Sequence, residues 1–392
     1  MSEAPLDALL QQLRSQAWRP ATRALSLPSS CYWREDVWQL EVERIFHRDW
    51  LCVGRSDQIP RPGDWLKVDL VGEPLVIVRG QDGALRALSR VCRHRGMDML
   101  HDSPARHGHG ALLTCPYHLW SYTLDGRLKA SPMMQANTAH DASRCQLPAF
   151  ALSEWQGFVF VCLDAAAPPL AARMQGLGQL LGSVDMSDWR IAGSVNWGEA
   201  PVNWKVALEN FAEFYHHIGT HQNSLQVLWP ASRVSLDMSG EDTFMAGRMA
   251  VNPELATSTE DGHPIQATHF PTVPALSAEQ RGGTYVVAVF PLFALALSPD
   301  SAIWFEWYPT GPESHVLDIH LLVPGSSFNT PGFDQIVAEH LEAIRGVQAE
   351  DAAANEALQR GLRSRFATSG PLAELEQPLW QFQRYLAGRL CT

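Results

Sequence analysis

Two short clusters of cysteine and histidine constrain this chain more than any other feature of its sequence. The first, at residues 92–94, reads Cys-Arg-His, and the second, at residues 115–118, reads Cys-Pro-Tyr-His. Residues 95–114 separate them. The segments before the clusters, 85–91 and 111–114, have the pattern of short strands, which predicts that each cluster lies in a loop at a strand end. Two thiols and two imidazoles held by such loops form a set of metal ligands.

Two kinds of metal centre use this ligand set. One is a [2Fe–2S] cluster in which two histidines replace two cysteines on one iron, which raises its reduction potential. The other is a structural zinc site with two cysteines and two histidines. A Cys-x-His pair is unusual for zinc fingers, and Pro116 makes the second loop rigid. The sequence therefore favours the iron–sulfur cluster over zinc.

The residues around both clusters resemble the Rieske [2Fe–2S] domain of ring-hydroxylating and related oxygenases. The resemblance rests on CRHRG, which begins at Cys92, and on CPYHLWSYTLDGRL, which begins at Cys115. One departure is Leu119, because many members of the family have glycine there. The resemblance implies that Cys92, His94, Cys115 and His118 bind a [2Fe–2S] cluster.

Length and composition indicate a globular protein of two domains. A chain of 392 residues is too long for one small cluster domain, and 46% hydrophobic and 18% charged residues are ordinary globular values. No apolar run reaches the roughly 18 residues of a membrane span. The leucines of residues 6–13 mark one face of an amphipathic helix and not a cleavable signal. The cysteines outside the clusters are scattered, as in a reducing compartment, which predicts a cytoplasmic location.

The charge of the chain bears on its partners. A net charge of −12 argues against nucleic acid, because binding to phosphates needs clustered lysine and arginine. The cluster region is nevertheless locally basic, and its arginines form either a docking surface for an acidic electron donor or ordinary solvated surface. These arginines are Arg86, Arg90, Arg93, Arg95 and Arg106.

A second concentration of metal-binding residue types lies on a predicted helix at residues 203–221. Helix geometry alone selects Glu213, His217 and His221, because steps of four residues keep side chains on one face. The segment also resembles the catalytic motif of Rieske oxygenases, acid-x-x-His-x-x-x-x-His, and the resemblance selects Glu213, His216 and His221. That selection leaves His217 in a supporting role. It also requires the helix to end or distort near the glycine that precedes His221, because five residues turn about 140° on an ideal helix.

Two histidines of a non-haem Fe(II) site need a carboxylate to complete the ligand set. Asp351 lies on the apolar stripe of a predicted helix at residues 333–362, where a buried carboxylate needs a compensating partner. A metal is one such partner, and Arg345 or Arg360 is another. The surrounding sequence resembles the C-terminal signature of the oxygenases, which implies that Asp351 is the third iron ligand. Glu350 is the alternative.

The resemblance also implies how the two centres are connected. In the family, a homotrimer places the cluster of one subunit beside the iron of its neighbour, and an acid bridges a cluster histidine and an iron histidine. By position the bridge is Glu213, which would reach His216 in its own chain and His118 of the partner subunit. Asn203 and Glu209 complete the candidate catalytic residues. Glu209 alternatively forms a structural ion pair with the lysine four residues before it.

The resemblance thus implies an α+β fold with an all-β Rieske [2Fe–2S] domain and a helix-grip catalytic domain, in which an antiparallel sheet wraps around the iron helix. Its segments are N-terminal helices that pack on the catalytic domain at 1–50, the Rieske domain at 51–165, and the catalytic domain with a mononuclear iron at 170–392. The polar, proline-rich segment 252–274 is predicted to be a mobile loop over a pocket.

The resemblance implies a terminal oxygenase that uses O₂ and electrons from NAD(P)H. The chain has no flavin or nicotinamide fingerprint, so a separate flavin or iron–sulfur reductase is required, with or without a ferredoxin. Other classes stay open at this point. One is a Rieske electron-transfer or redox-sensing protein with an inactive second site, and the other is a zinc protein with a ligand-binding domain.

The glutamate at the bridging position resembles the branch that contains choline, glycine betaine and carnitine monooxygenases. This favours monooxygenation of a quaternary ammonium compound, with an aromatic ring-hydroxylating dioxygenase as the alternative. Aromatic side chains could cage such a cation, line a pocket for an aromatic ring, or simply fill the core. They are Phe211, Phe214, Tyr215, Trp229, Phe290, Phe293, Trp304, Phe305 and Trp307.

Overall fold

The computed structural model describes residues 5–259 and 261–391. The chain forms two compact units. The small unit is Phe46–Leu170, and the large unit combines Met1–Ile45 with Ala171–Thr392. In the described part of the chain, no helix is both long enough and apolar enough to cross a membrane.

The helices belong almost entirely to the large unit. They are α1 (Leu6–Ala17), α2 (Glu35–Glu41), α3 (Leu170–Leu181), α4 (Trp204–Ala212), α5 (Leu225–Leu228), α6 (Ala278–Arg281), α7 (Phe333–Leu362) and α8 (Gln377–Leu390). Helix α2 is followed directly by a π-helical turn at Val42–Phe46.

The small unit is built from short antiparallel strands. They are β1 (Leu51–Arg55), β2 (Asp64–Leu70), β3 (Glu73–Arg79), β4 (Leu85–Ser89), β5 (His107–His109), β6 (Leu112–Thr114), β7 (Ser121–Thr123), β8 (Leu128–Ala130), β9 (Ala149–Trp155) and β10 (Phe158–Cys162). One sheet has the order β1-β10-β9-β4-β3-β2-β5, and a smaller sheet has the order β6-β7-β8. Buried residues alternate along β2, as expected for a strand with one face in the core.

The large unit contains one seven-stranded antiparallel sheet with the order β11-β19-β18-β17-β16-β13-β12. The strands of this unit are β11 (Arg190–Ala200), β12 (Val234–Asp237), β13 (Phe244–Ala250), β14 (Thr257–Ser258), β15 (Pro264–Ile265), β16 (Gly283–Val289), β17 (Phe293–Leu297), β18 (Ala302–Gly311) and β19 (Ser314–Val323). The predicted fold class, an all-β domain followed by an antiparallel sheet with helices, is confirmed.

Glycines allow helices and loops to approach this sheet closely. A Cβ atom at Gly193 in β11 would lie 2.8 Å from Leu341 of α7, and one at Gly247 in β13 would lie 2.4 Å from the ring of Phe214. Both distances are shorter than real contacts allow. The glycines therefore let α7 and the segment after α4, which carry the candidate metal ligands, pack directly on the sheet.

The segment 252–274, which the sequence predicts to be a loop, contains the two-stranded hairpin β14-β15. The indole N–H of Trp229 donates to Gln266 at 2.9 Å, and the backbone N–H of Asn252 donates to the carbonyl of Leu228 at 2.8 Å. These bonds attach the segment to α5 and Trp229, which follow the histidine motif in the chain.

A buried ion pair anchors α4 to α2. Lys205 Nζ lies 2.6 Å from Glu41 Oε1, and each side chain is 1% exposed. Trp204 Nε1 donates to the other carboxylate oxygen at 2.8 Å. The ion pair between Lys205 and Glu209 that the sequence offered as an alternative is therefore wrong, because the lysine is already neutralised by a carboxylate that is distant in sequence.

Removing one member of this pair should be strongly destabilising. Glu41→Ala leaves the ammonium of Lys205 buried without its counter-ion, which costs on the order of 3–5 kcal/mol. We expect a large fall in the thermal unfolding midpoint of this variant, with little change for Glu43→Ala, which removes an exposed side chain from the turn that follows α2. Equal midpoints for the two variants, measured by circular dichroism, would show that the pair contributes little.

Candidate metal centres

Two tight turns hold the cysteine and histidine clusters of the small unit. In the first turn, the N–H of Cys92 donates to the carbonyl of Met97 at 2.8 Å, and in the second the N–H of Cys115 donates to the carbonyl of Trp120 at 2.8 Å. The first pair of cysteine and histidine follows strand β4, and the second pair follows strand β6, as the sequence predicts. Leu119 has φ +58°, a left-handed conformation that costs a residue with a Cβ atom roughly 1–2 kcal/mol. This explains why glycine suits the position.

The four candidate cluster ligands are arranged as a pair of thiols and a pair of imidazoles. Cys92 and Cys115 are each 2% exposed. Both cysteines belong to one buried cluster of side chains, and burial, with a further contribution from Cys92, raises the pKa of the Cys115 thiol. The rings of His94 and His118 have centroids 4.8 Å apart. This separation fits a cluster in which one iron takes both sulfurs and the other takes both imidazoles.

The side chains beneath these turns are fixed. Arg90 is 2% exposed, its guanidinium donates to the carbonyls of Val68 and Leu75 at 2.9 and 3.0 Å, and it pairs with Asp98 at 2.8 Å. Arg90 therefore does not belong to the basic docking surface that the sequence suggested, because its charge is used inside the unit. The indole of Trp120 stacks on His94 with centroids 4.8 Å apart.

The hydroxyl of Tyr122 lies 3.3 Å from Cys92 Sγ and accepts the N–H of Arg93 at 3.0 Å. A metal-bound thiolate has no proton, so the hydroxyl must donate to the sulfur when a cluster is present. Hydrogen bonds to cluster sulfurs stabilise the more negative, reduced state and raise the potential. One such bond contributes about 1 kcal/mol, which is roughly 40 mV for a one-electron couple.

Tyr122→Phe should therefore lower the reduction potential of the cluster by roughly 40 mV. Protein-film voltammetry or a redox titration followed by electron paramagnetic resonance measures the shift. Tyr117→Phe is the matched control, because Tyr117 is 53% exposed and its hydroxyl contacts Arg95 instead of a ligand. An unchanged potential in Tyr122→Phe would mean that this hydroxyl does not act on the sulfur.

The histidine motif of the large unit is not one continuous helix. Asn203 caps α4 by accepting the N–H of Lys205 at 2.8 Å, and α4 ends at Ala212. Glu213 is extended, with φ −114° and ψ 164°, and a 3₁₀ turn at Tyr215–Ile218 follows. The helix thus ends well before the glycine where the sequence placed its distortion.

The side chain of Glu213 explains this early end. Its carboxylate accepts the backbone N–H groups of Tyr215 and His216, which would bond to carbonyls of the preceding turn if the helix continued. The same carboxylate lies 2.6 Å from His216 Nδ1. Glu213 therefore fixes both the backbone turn and the ring of His216.

The broken helix brings His216, His221 and Asp351 together. One ligand atom from each lies within 4.8 Å of the other two. Asp351 Oδ1 lies 3.8 Å from His216 Nε2 and 3.0 Å from His221 Nε2. Ligand atoms that share one metal ion at about 2 Å lie roughly 3 Å apart at right angles. The geometry thus selects the set that the resemblance implies and not the set that includes His217.

Three observations fit a metal ion at this point. The donor set of two imidazoles and one carboxylate is that of non-haem iron sites. His221 Nε2 is buried, and although Asp351 Oδ1 lies 3.0 Å away, no acceptor among the described residues is aligned for a hydrogen bond to it. Asp351 pairs with neither arginine that the sequence offered, since Arg345 and Arg360 lie beside Glu342 and Glu356.

Each histidine of this set has a carboxylate on its Nδ1 atom. Glu213 holds His216, and Glu350 Oε2 lies 2.6 Å from His221 Nδ1. Ser224 donates to the same Glu350 oxygen at 2.6 Å. Both histidines therefore present Nε2 toward Asp351. Burial lowers the pKa of His221, but Asp351 and Glu350 outweigh it and leave the pKa above its ordinary value.

His217 is buried against both histidines, with ring centroids 5.0 Å from His216 and 5.5 Å from His221. Burial lowers the pKa of His217 to about 3, and the two neighbouring imidazoles contribute. His217 is therefore a neutral side chain that packs behind the ligands.

The remaining candidates lie in α4 and at its start. Asn203 is 1% exposed, and its amide also donates to the carbonyl of Pro312 at 2.6 Å, so it stabilises the helix start. Glu209 accepts the hydroxyl of Tyr32 at 2.7 Å. Burial raises the pKa of Glu209 to about 7, with Glu376 and Glu213 adding to the rise. Glu209 is thus partly protonated near neutral pH.

Two contacts near the ligands were missed by the sequence analysis. The amide of Asn210 donates to Asp351 Oδ1 at 3.2 Å, and Glu350 holds His221 instead of replacing Asp351 as a ligand. The only sign of such a role in the sequence is that Asn210 directly follows Glu209 and Glu350 directly precedes Asp351. Their partners are more than a hundred residues away in the chain.

Family models match both units. The Rieske [2Fe–2S] domain model covers residues 49–151, and the ring hydroxylating alpha subunit (catalytic domain) model covers residues 185–391, which is more than half of the chain. The chain belongs to the ring-hydroxylating oxygenase alpha-subunit family. The Rieske match decides between the two candidate centres of the small unit in favour of the [2Fe–2S] cluster.

A curated oxygenase subunit is similar to this chain over about half of its length. The carnitine monooxygenase oxygenase subunit of Escherichia coli strain K12 is 32% identical over 196 residues, which are 49% of this chain and 51% of that protein. The chain's matches span about half the length of the curated relatives.

Solved structures match the whole chain. A crystal structure of the quaternary ammonium Rieske monooxygenase CntA has a TM-score of 0.80 at 22% identity, covering 99% of both chains. Naphthalene 1,2-dioxygenase from Rhodococcus sp. has a TM-score of 0.78 at 19% identity, covering 100% of this chain and 99% of the other. These likenesses establish the fold.

Proposed function

We propose that this protein is the terminal oxygenase of a Rieske-type multicomponent system. It hydroxylates or oxidatively demethylates a small organic substrate, with O₂ and with electrons from NAD(P)H delivered by a separate reductase. The observation that carries this proposal is the convergence of His216, His221 and Asp351 in the unit that the catalytic family model matches. An iron bound there would supply the positions at which O₂ is activated.

The residues around the triad have separate tasks in this proposal. Asp351 and the Nε2 atoms of His216 and His221 would hold the metal, while Asn210 restricts the orientation of Asp351. The buried surroundings of His217 exclude water from one side of the site, because this side chain is only 3% exposed and neutral.

Glu213 is proposed to carry electrons into the site. Its Oε1 holds His216 Nδ1 at 2.6 Å and its Oε2 accepts the backbone N–H groups of Tyr215 and His216, so Oε1 keeps one lone pair for another N–H donor. The donor would be His118 of the partner subunit, which requires a ring of subunits in which each small unit meets a neighbour's large unit. A homotrimer closes such a ring.

For the substrate, we favour a quaternary ammonium compound. Phe211, which follows Asn210 in α4, contacts Phe305 and Trp307 with ring centroids 4.9 and 5.7 Å away. Phe211 and Phe305 are only partly buried, and such aromatic faces attract a trimethylammonium group. The names of the Escherichia coli relative and of CntA agree with this class.

The second candidate is dihydroxylation of an aromatic ring. It is supported by the fold match to naphthalene 1,2-dioxygenase and by the same three aromatic side chains, which can stack on a planar substrate. Trp304 and Phe290 are fully buried and are more consistent with the core than with either pocket.

A substrate screen tests the proposal. Reconstituted protein with a reductase and NADH should consume O₂ when given carnitine-like or betaine-like amines, and product analysis should show demethylation or hydroxylation. Uptake with aromatic acids or hydrocarbons instead would establish the dioxygenase alternative. Absence of substrate-dependent uptake with all of them, in protein that retains both metal centres, would support an electron-transfer or sensing role and contradict the proposal.

A further inference from the structure

Both candidate iron histidines are held by carboxylates, but the two carboxylates differ in origin. Glu213 lies three residues before His216 and belongs to the same turn. Glu350 lies 129 residues after His221 and belongs to α7. The carboxylate on His216 is the proposed electron bridge, whereas the carboxylate on His221 has no part in that bridge.

We propose that Glu350 is a positioning residue that orients His221 and sets the affinity of the site for iron, without carrying electrons. This inference rests on the proposed function, since it concerns the same iron site. A carboxylate on Nδ1 fixes the tautomer in which Nε2 is free to bind metal, and it makes the imidazole a stronger ligand.

The contacts of Glu350 are those of a support and not of a ligand. Its Oε2 accepts both His221 Nδ1 and the hydroxyl of Ser224 at 2.6 Å. An ionised carboxylate has no proton, so the hydroxyl of Ser224 must be the donor in this bond. The bond holds Glu350 Oε2 beside Nδ1, on the side of the ring away from Asp351. Asp351, the next residue in α7, approaches Nε2 on the other side of the ring at 3.0 Å.

The position in α7 gives this arrangement a further consequence. Glu350 and Asp351 are consecutive residues of one 30-residue helix, and they contact opposite nitrogens of the same imidazole. His221 is thus clamped by a single rigid element. His216, in contrast, is clamped by its own turn through Glu213. The loss of Glu350 should therefore loosen His221 while leaving Glu213 and His216 unchanged.

The experiment is an anaerobic Fe(II) titration of protein that retains its cluster but has been stripped of mononuclear iron. For Glu350→Ala we expect the Fe(II) dissociation constant to rise about 10–100-fold, the range for losing such a partner. Glu350→Gln keeps an acceptor for Nδ1 and should recover most of the affinity. At saturating Fe(II), the electron transfer rate from the reduced cluster to the iron in Glu350→Ala should return to within a few-fold of that of the wild-type protein.

Glu342→Ala is the matched control, because Glu342 lies on the same helix with its side chain 83% exposed. An Fe(II) affinity of Glu350→Ala within about twofold of this control, or an electron transfer rate that excess Fe(II) does not restore, would overturn the inference. Wild-type protein that binds no Fe(II) at all would instead overturn the proposed function, and the inference with it.

Discussion

Asp351→Ala is expected to abolish oxygenation and to empty the mononuclear site, while the red-brown colour of the cluster is retained. Asp351 supplies the only carboxylate in the metal-binding group of the described residues. Without it, two neutral imidazoles would have to hold a divalent cation. Losing one of three protein ligands should weaken iron binding on the order of 100-fold or more, and product formation should fall below detection.

Two measurements check this expectation. Iron analysis after desalting should show the loss of one iron per chain relative to Glu342→Ala, and the visible spectrum should match in both variants. Asp351→Glu keeps the charge but lengthens the side chain, so it should retain part of the iron. Normal turnover with full iron in Asp351→Ala would show that the third ligand lies elsewhere.

Glu213→Gln is expected to stop electron transfer between the centres, even in protein whose mononuclear site is saturated with Fe(II). A carboxylate can accept N–H groups from two imidazoles, whereas an amide has one acceptor oxygen and presents N–H groups on its other side. The single amide oxygen could not accept from His216 Nδ1, from the backbone N–H groups of the turn and from a second histidine at the same time. We expect the reduced cluster to be oxidised about 100-fold more slowly in a single turnover. This is the size of effect that losing a hydrogen-bond partner of a metal ligand can have.

The comparison with Glu350→Ala makes this prediction specific. Both variants remove a carboxylate from Nδ1 of a candidate iron ligand, but only the Glu350 variant should be rescued by excess Fe(II). Stopped-flow spectroscopy of the prereduced protein with O₂ and substrate follows the cluster directly. If Glu213→Gln transferred electrons at the wild-type rate, the bridge through His118 of the partner subunit would be excluded.

The loops that carry the candidate cluster ligands could be predicted because the information that specifies each loop is local. Cys92 and His94 share one turn, Cys115 and His118 share another, and each turn follows a strand with a recognisable pattern. The sequence of each loop therefore specifies its own geometry, and only the meeting of the two loops depends on the fold.

The mononuclear site was harder to predict because its ligands depend on where a helix ends. Regular helix geometry would have selected His217, and only the resemblance selected His216. In the structure, Glu213 terminates the helix at Ala212 by accepting the N–H groups of the next turn. A side chain that replaces backbone partners in this way overrides the periodicity of the surrounding residues.

Long-range partners could not be predicted. Lys205 pairs with Glu41 and not with Glu209, and Glu350 lies against His221 Nδ1 and outside the group that His216, His221 and Asp351 form. In each case several acids of similar sequence context were available. The choice among them is made by the packing of α2 and α7 against α4 and the turn that follows it, which periodicity within one segment does not describe.

The most direct test of the account is the iron and acid-labile sulfide content of anaerobically purified protein, quantified per chain. We expect two irons with two sulfides in the cluster and one further iron at His216, His221 and Asp351. Zinc without sulfide would contradict the cluster, and two irons that stay at two after incubation with Fe(II) and desalting would contradict the oxygen-activating site.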